Sequence, residues 1–232
     1  MRERSLLVTI SLAAGLCTTA SSLSAQGRIL DRGQFLIYRG ADVVGREEFV
    51  VTKGRTGSGQ GYTIAAASFY PPDSPTPVAV AALEAGPDSQ PSAARIDLNS
   101  GRNPSVLVVF GPRRITVRTV TPEGESARQY PAAGRIIVLD DLVISGYLIP
   151  PGLEEGLVTF FRPRTSERIA ARLSNAGRDR TMVERRGWVL THFTLESSGE
   201  TRHLWFDERG RLIKLEAPAT NLTALRVNLV RR

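Results

Sequence analysis

The sequence predicts a mainly β protein: a curved antiparallel sheet, half-barrel or barrel-like, with one short helix packed on it. Three observations predict it. Apolar residues recur with period two far more than with period 3.6, the signature of half-buried strands. Clusters of Gly, Pro, Ser and Asp punctuate the chain at short intervals. Many short strands at that spacing must bury their apolar faces in a sandwich, a barrel or a strongly curved sheet.

Taken in order, residues 1–25 come first and stand apart. Arg2 and Arg4 form a positive head, Ser5 to Cys17 is an apolar run of 13 residues, and small residues lead to Ser22-Leu23-Ser24-Ala25. That layout is a secretory signal peptide. The run is shorter than the roughly 20 apolar residues of a membrane-spanning helix. Leu16, not a small residue, precedes Cys17, which argues against a lipoprotein anchor. The expectation is export to the periplasm or beyond, with cleavage near Ala25 and Ala20 as the alternative point. Residues 26–232 then form a single antiparallel β domain, long enough to bury a core of its own.

The mature strands follow. Gln34 to Arg39 and Val43 to Lys53 flank a Gly40-Ala41-Asp42 hairpin signal, and Gly45 inside the second strand predicts a bulge or a close backbone approach. Tyr62 to Tyr70, Thr76 to Ala85, Arg95 to Leu98, Ser105 to Phe110 and Arg113 to Val120 come next. Thr121-Pro122-Glu123-Gly124 turns the chain into Ser126 to Tyr130, and the short apolar Arg135 to Leu139 follows. Asp140 to Ile149 is the predicted helix, with Asp140 as its N-cap and Pro150-Pro151-Gly152 as its stop. Leu157 to Phe161, Glu167 to Leu173, Arg180 to Arg185, Trp188 to Leu195, Thr201 to Phe206 and Leu212 to Ala217 complete the series.

Composition narrows the chemistry. Cys17, the single cysteine, leaves with the signal, so the mature chain has no disulfide, no thiolate metal site and no cysteine nucleophile. The formal net charge is +7, and Lys53 and Lys214 are the only lysines among 30 basic residues. A basic exported protein can meet acidic polysaccharide or anionic lipid. Export argues against a nucleic-acid partner, and the arginines are scattered rather than run together.

Two stretches carry a resemblance. Gly33-Gln34-Phe35-Leu36-Ile37-Tyr38-Arg39-Gly40 continues to Val44-Gly45-Arg46-Glu47-Glu48-Phe49. His203-Leu204-Trp205-Phe206-Asp207-Glu208-Arg209-Gly210-Arg211-Leu212 runs on through Pro218 to Arg226. Both resemble uncharacterised exported bacterial β proteins classed as domains of unknown function, themselves similar in architecture to the half-barrels of lipoprotein carriers. The resemblance brings no catalytic residues. Its motifs are turn chemistry: Asp207 caps a four-residue loop and Gly210 takes the positive φ that closes it.

The residues with chemical potential are few. If Ser198-Gly199 is a two-residue turn, His192 faces Trp205 and Thr194 faces His203. Trp188, Leu190, His192, His203 and Trp205 then share one sheet face. Val189, Phe193, Leu195, Leu204 and Phe206 fill the other, so both faces are apolar enough to be buried. The first set is either a ligand pocket with imidazole donors or a structural aromatic stack. No H-x-x-x-H or H-E-x-x-H pattern exists, so no metal site is expected. The G-x-S-x-G elbow is absent, and Gly57-Ser58-Gly59 is followed by no lysine and helix, so it is no phosphate loop. The pairs Glu47-Glu48, Asp140-Asp141 and Glu154-Glu155 are expected to be solvated or capping, with Glu47 and Glu48 on opposite strand faces. The Asn221-Leu222-Thr223 sequon carries no weight behind a bacterial-type signal. Tyr147 and its apolar neighbours would plug or lid the concave side of the sheet, or simply cover it as a core helix.

The leading expectation is a non-catalytic exported protein that binds an apolar or amphipathic ligand or serves envelope assembly, without a cofactor. Trp188, His192, His203, Trp205 and Tyr147 are its candidate ligand contacts. One alternative is a hydrolase with His192 or His203 as general base. The other is a basic surface in peripheral contact with anionic lipid or polysaccharide.

Overall fold

The computed structural model describes residues 27–56, 59–99, 104–148 and 154–228; the expected signal peptide, residues 1–25, lies outside them. Fifteen strands form one sheet: β1 (Arg28–Arg39), β2 (Asp42–Thr56), β3 (Gly59–Phe69), β4 (Ala79–Ala85), β5 (Pro91–Leu98), β6 (Ser105–Phe110), β7 (Arg114–Thr121) and β8 (Gly124–Pro131), then β9 (Arg135–Val138), β10 (Gly156–Arg162), β11 (Glu167–Val183), β12 (Arg186–Ser197), β13 (Glu200–Phe206), β14 (Leu212–Ala217) and β15 (Leu222–Val227). Their order is β8-β7-β6-β5-β4-β3-β2-β1-β15-β14-β13-β12-β11-β10-β9. The first and last strands pair at the centre, Gln34 opposite Val227 and Arg39 opposite Leu222. The chain meanders outward from β1 to β8, jumps to β9, and meanders back to β15.

The jump defines the shape. β8 and β9 are the two edges of the sheet, yet only residues 132–134 separate them. Four peptide steps span at most about 14 Å, so the edges lie near each other and the sheet is rolled. It is not closed into a barrel. The β9–β10 end is tucked inside instead. Ile136, Val138 and Phe161 pack against Ala94, Val106, Val108, Ile115 and Val117 on the inner face of β5–β7. Ile137, Leu139, Val158 and Phe160 turn the other way into the main core with Phe35, Ile37, Phe49 and Leu195. Burial on both faces explains why β9 is a continuous apolar run rather than an alternating one. The inner edge is satisfied, since Ile136 N–H donates to Gln90 Oε1 at 3.2 Å. The outer edge, β8, is exposed at every position but Tyr130, and Glu125, Arg128 and Pro131 protect it from edge pairing.

β9 and β10 run parallel. A parallel pair needs a long crossover, and here residues 139–155 link the two strands; of these, 139–148 are described and lie inside the roll, while the expected stop Pro150-Pro151-Gly152 lies outside the described residues. This segment is the predicted helix, with a correction. Among its described residues the helix is a four-residue 3-10 turn, Ile144–Tyr147, with Val143 and not Asp140 at the N-cap position. Asp140 instead accepts Leu142 N–H at 3.0 Å and pairs with Arg164 at 2.7 Å. A full helix fails for local reasons. Val143 and Ile144 are β-branched, and the backbone at Gly146 lies so close that a Cβ there would sit 2.6 Å from the Val138 carbonyl oxygen.

Other boundaries shift. The separate strands expected at Glu167–Leu173 and Arg180–Arg185 are one strand, β11, continued through a bulge between Asn175 and Gly177. β15 was absent from the expected series. Gly45 behaves as expected: a bulge lies beside it, and the Tyr70 ring occupies the place of its missing side chain, 2.4 Å from an added Cβ. Asp207 Oδ1 accepts Arg209 N–H at 3.0 Å and Arg211 N–H at 2.9 Å, and Gly210 has φ +71°.

Candidate functional site

The β12–β13 register is the expected one, His192 opposite Trp205 and Thr194 opposite His203. Parity then puts Phe193, Leu195, Leu204 and Phe206 in the main core. Trp188, Leu190 and Trp205 face outward, where Val183 and Ile213 join them in a small second core. Beyond the β11 bulge the β11–β12 hairpin bends, and its tip reaches the last strand, Glu184 accepting Asn228 N–H at 3.1 Å. Val189, expected to be buried, is 48% exposed because it lies on this bent tip.

At the border of the outer core the two histidines meet. His192 Nε2 lies 3.0 Å from His203 Nδ1, and His192 Nδ1 lies 2.8 Å from Asp179 Oδ2. Trp205 stacks on His192 at 4.6 Å between centroids, and its indole N–H points to Asp179 at 3.4 Å. Lys214 caps the indole at 4.6 Å and pairs with Glu216. The carboxylate fixes the tautomer: neutral His192 carries its proton on Nδ1, accepts at Nε2, and so receives the Nδ1 proton of His203. His203 Nε2 is left as an acceptor, and Asp179, 46% exposed, links the pair to solvent. Burial pushes the His192 imidazole below its ordinary value and His203 adds to that, against Asp179 and Glu216. In an NMR titration the His192 ring is expected to change charge below 6.5; a midpoint above it would contradict the buried, His203-facing ring.

Tyr147 does not join this group. It lies inside the roll, on the crossover, fully buried, with the Arg202 guanidinium 5.8 Å from its ring. Burial pushes its hydroxyl up to about 12. The structure therefore splits the five candidate residues between an outer cluster of four and the interior.

The interior holds a group the sequence reading misplaced. Glu47, expected at the surface, is 0% exposed. Its carboxylate accepts Ile144 N–H at 2.7 Å, Ser145 N–H at 2.6 Å and Ser68 O–H at 2.8 Å. It latches the crossover to β2 and β3 across 97 residues of sequence. Burial raises its carboxyl to about 7, outweighing the donors, which act in the opposite sense. Strand parity was the available signal, because Glu47 shares the face of Phe49.

The outside of β1–β4 forms an open groove of about 1110 Å³. Val227, Gln34, Glu48, Ala67 and Val80 lie in register across five strands and line it. Arg32, Arg209, Arg211 and Arg226 also line it. Arg226 is the first and last strands' tie, bonded to both Asp31 oxygens at 2.8 and 2.6 Å.

These features define the class: a mainly β, barrel-like protein made of one rolled, mostly antiparallel sheet, with residues 139–148 of its crossover packed into the main core. No family model matches the chain, and no curated protein matches it. Among solved structures it is similar to a β-barrel-like protein of a domain of unknown function, DUF1849, from Brucella abortus. That match has 9% identity and a TM-score of 0.49, over 87% of this chain and 94% of the other.

Proposed function

We propose that this protein is an exported, non-catalytic component of the cell envelope that works from its outer surface. The observation that carries this reading is the packing of the described crossover residues into the main core. Leu139, Val143, Ile144, Tyr147 and Leu148 of the crossover pack into the main core. The void beside them, between Ser145, Gly146 and β3–β5, is about 30 Å³, room for about one water and far below the roughly 300 Å³ or more of a small-molecule cavity. A carrier enclosing a lipid would need that space. In this reading Trp188, His192, His203 and Trp205 hold the bent hairpin onto β13 and β14, and any amphipathic ligand sits outside. The leader at residues 1–25 supports export.

Native mass spectrometry of the protein purified from its host's envelope, followed by organic extraction, tests both parts. The expected result is one apo mass lacking the leader, with no turnover of activated esters. A stoichiometric apolar ligand would establish an enclosed carrier. Ester turnover lost in His203→Phe would establish the hydrolase, and a mass retaining residues 1–25 would end the export reading.

A further inference from the structure

The outer groove combines positive charge with an apolar floor. Its centre is small and apolar, with Ala65 and Ala67 of β3 between Val50 of β2 and Val80 of β4. Val80, on this floor, is exposed. The charges around this floor are unequal. Arg226 is matched by Asp31, Arg211 by Asp207, and Glu48 by Arg46. Arg32 and Arg209 are exposed and have no carboxylate partner among the described residues. The groove thus carries two unbalanced positive charges over a small apolar floor, on a chain whose net charge is already +7.

The matched arginines sharpen the point. Asp31 and the Arg32 carbonyl hold the Arg226 guanidinium, whose side chain is only 3% exposed. Gly33 makes room for it, since a Cβ there would come within 2.9 Å of both Arg226 and the Phe49 ring. The wall of the groove is therefore rigid, and Arg32 and Arg209 are the charges left to a ligand.

We propose that this groove is the site at which the protein sits on an anionic lipid surface, Arg32 and Arg209 meeting phospholipid phosphates over the apolar floor of Val50, Ala65, Ala67 and Val80. Charge complementarity selects this occupant: each arginine near an anionic leaflet adds attraction, and a shallow apolar floor adds burial that a soluble polyanion would not use. The proposal rests on the outer-surface reading above and names its ligand class.

Co-sedimentation with vesicles tests it, using the mature chain and phosphatidylcholine vesicles with or without roughly 30 mol % phosphatidylglycerol. Binding is expected only to the anionic vesicles, weakening as salt rises from about 0.1 to 1 M. Arg32→Glu with Arg209→Glu is expected to lower partitioning at least about tenfold. Arg113→Glu with Arg186→Glu, equal in net charge and outside the groove, is expected to leave it within about twofold. Equal binding to uncharged vesicles, or an equal loss in the control pair, would overturn the site. Binding of soluble polygalacturonate that depends on Arg32 and Arg209, without vesicle binding, would reassign it to acidic polysaccharide and overturn the lipid proposal. A buried lipid found in the host-purified protein would instead overturn the outer-surface reading and leave the vesicle result standing on its own.

Discussion

Replacing Glu47 by alanine is expected to lower the unfolding free energy by about 3 to 5 kcal/mol. Three donors lose their acceptor at once: the main-chain N–H groups of Ile144 and Ser145 and the Ser68 hydroxyl. The cost is large because Glu47 and Ser68 are wholly buried, so water does not reach the orphaned groups without opening the roll. Urea unfolding followed by circular dichroism measures it. A loss below about 1 kcal/mol would mean that apolar packing alone seats the crossover.

The same residue sets a pH dependence whose sign follows from the direction of its shift. The Glu47 carboxyl rises from 4.5 to about 7 on folding, so the folded state holds the proton more tightly than the unfolded chain. Its contribution, on the order of 3 kcal/mol, is fully present below the unfolded value and is lost as pH rises through the folded one. His192 acts in the opposite sense. Its lowered value favours the neutral ring, so its contribution is present above 6.5 and fades as pH falls. The two slopes oppose each other over the same interval. Glu47→Gln removes the first, and stability of that variant is expected to fall more steeply than wild type between about pH 7 and 5. Parallel profiles for the two proteins would show that Glu47 does not titrate on folding.

Local rules carried the hairpins and failed at the closure of the sheet. The Ser198-Gly199 turn fixed a register of eleven residues' separation between His192 and His203, because two-residue loops leave no freedom in pairing. Asp207 and Gly210 behaved as turn chemistry requires. β15 was not legible, since Leu222–Val227 is a half-buried strand with Thr223 and Arg226 among its members. It pairs with β14 across the turn of residues 218–221, but its other edge is covered by β1 from the opposite end of the chain, a fact no local window contains. The tucked β9–β10 end was hidden for the same reason. An apolar run such as Arg135 to Leu139 says that both faces are covered but not by what. Glu47 was missed because acidic residues are so rarely buried that composition overruled strand parity.

The junction of the first and last strands can be tested at the ion pair that spans it. Asp31 and Arg226 join β1 to β15 through a bidentate contact of 2.8 and 2.6 Å, with the guanidinium 5.0 Å from the Phe49 ring. Asp31→Ala is expected to cost about 3 kcal/mol or more, because it leaves a buried cation with the Arg32 carbonyl as its remaining acceptor. Much of that cost is the stranded charge rather than the worth of the pair. Removing both charges, as Asp31→Leu with Arg226→Met, is therefore expected to recover most of the loss, since the methionine stem can keep packing on Phe49 and Gly33. Chemical denaturation of the single and double variants separates the two accounts. If the double variant is no more stable than Asp31→Ala, the pair is itself what holds the first strand to the last, and the roll depends on an ionic clasp rather than on its apolar core.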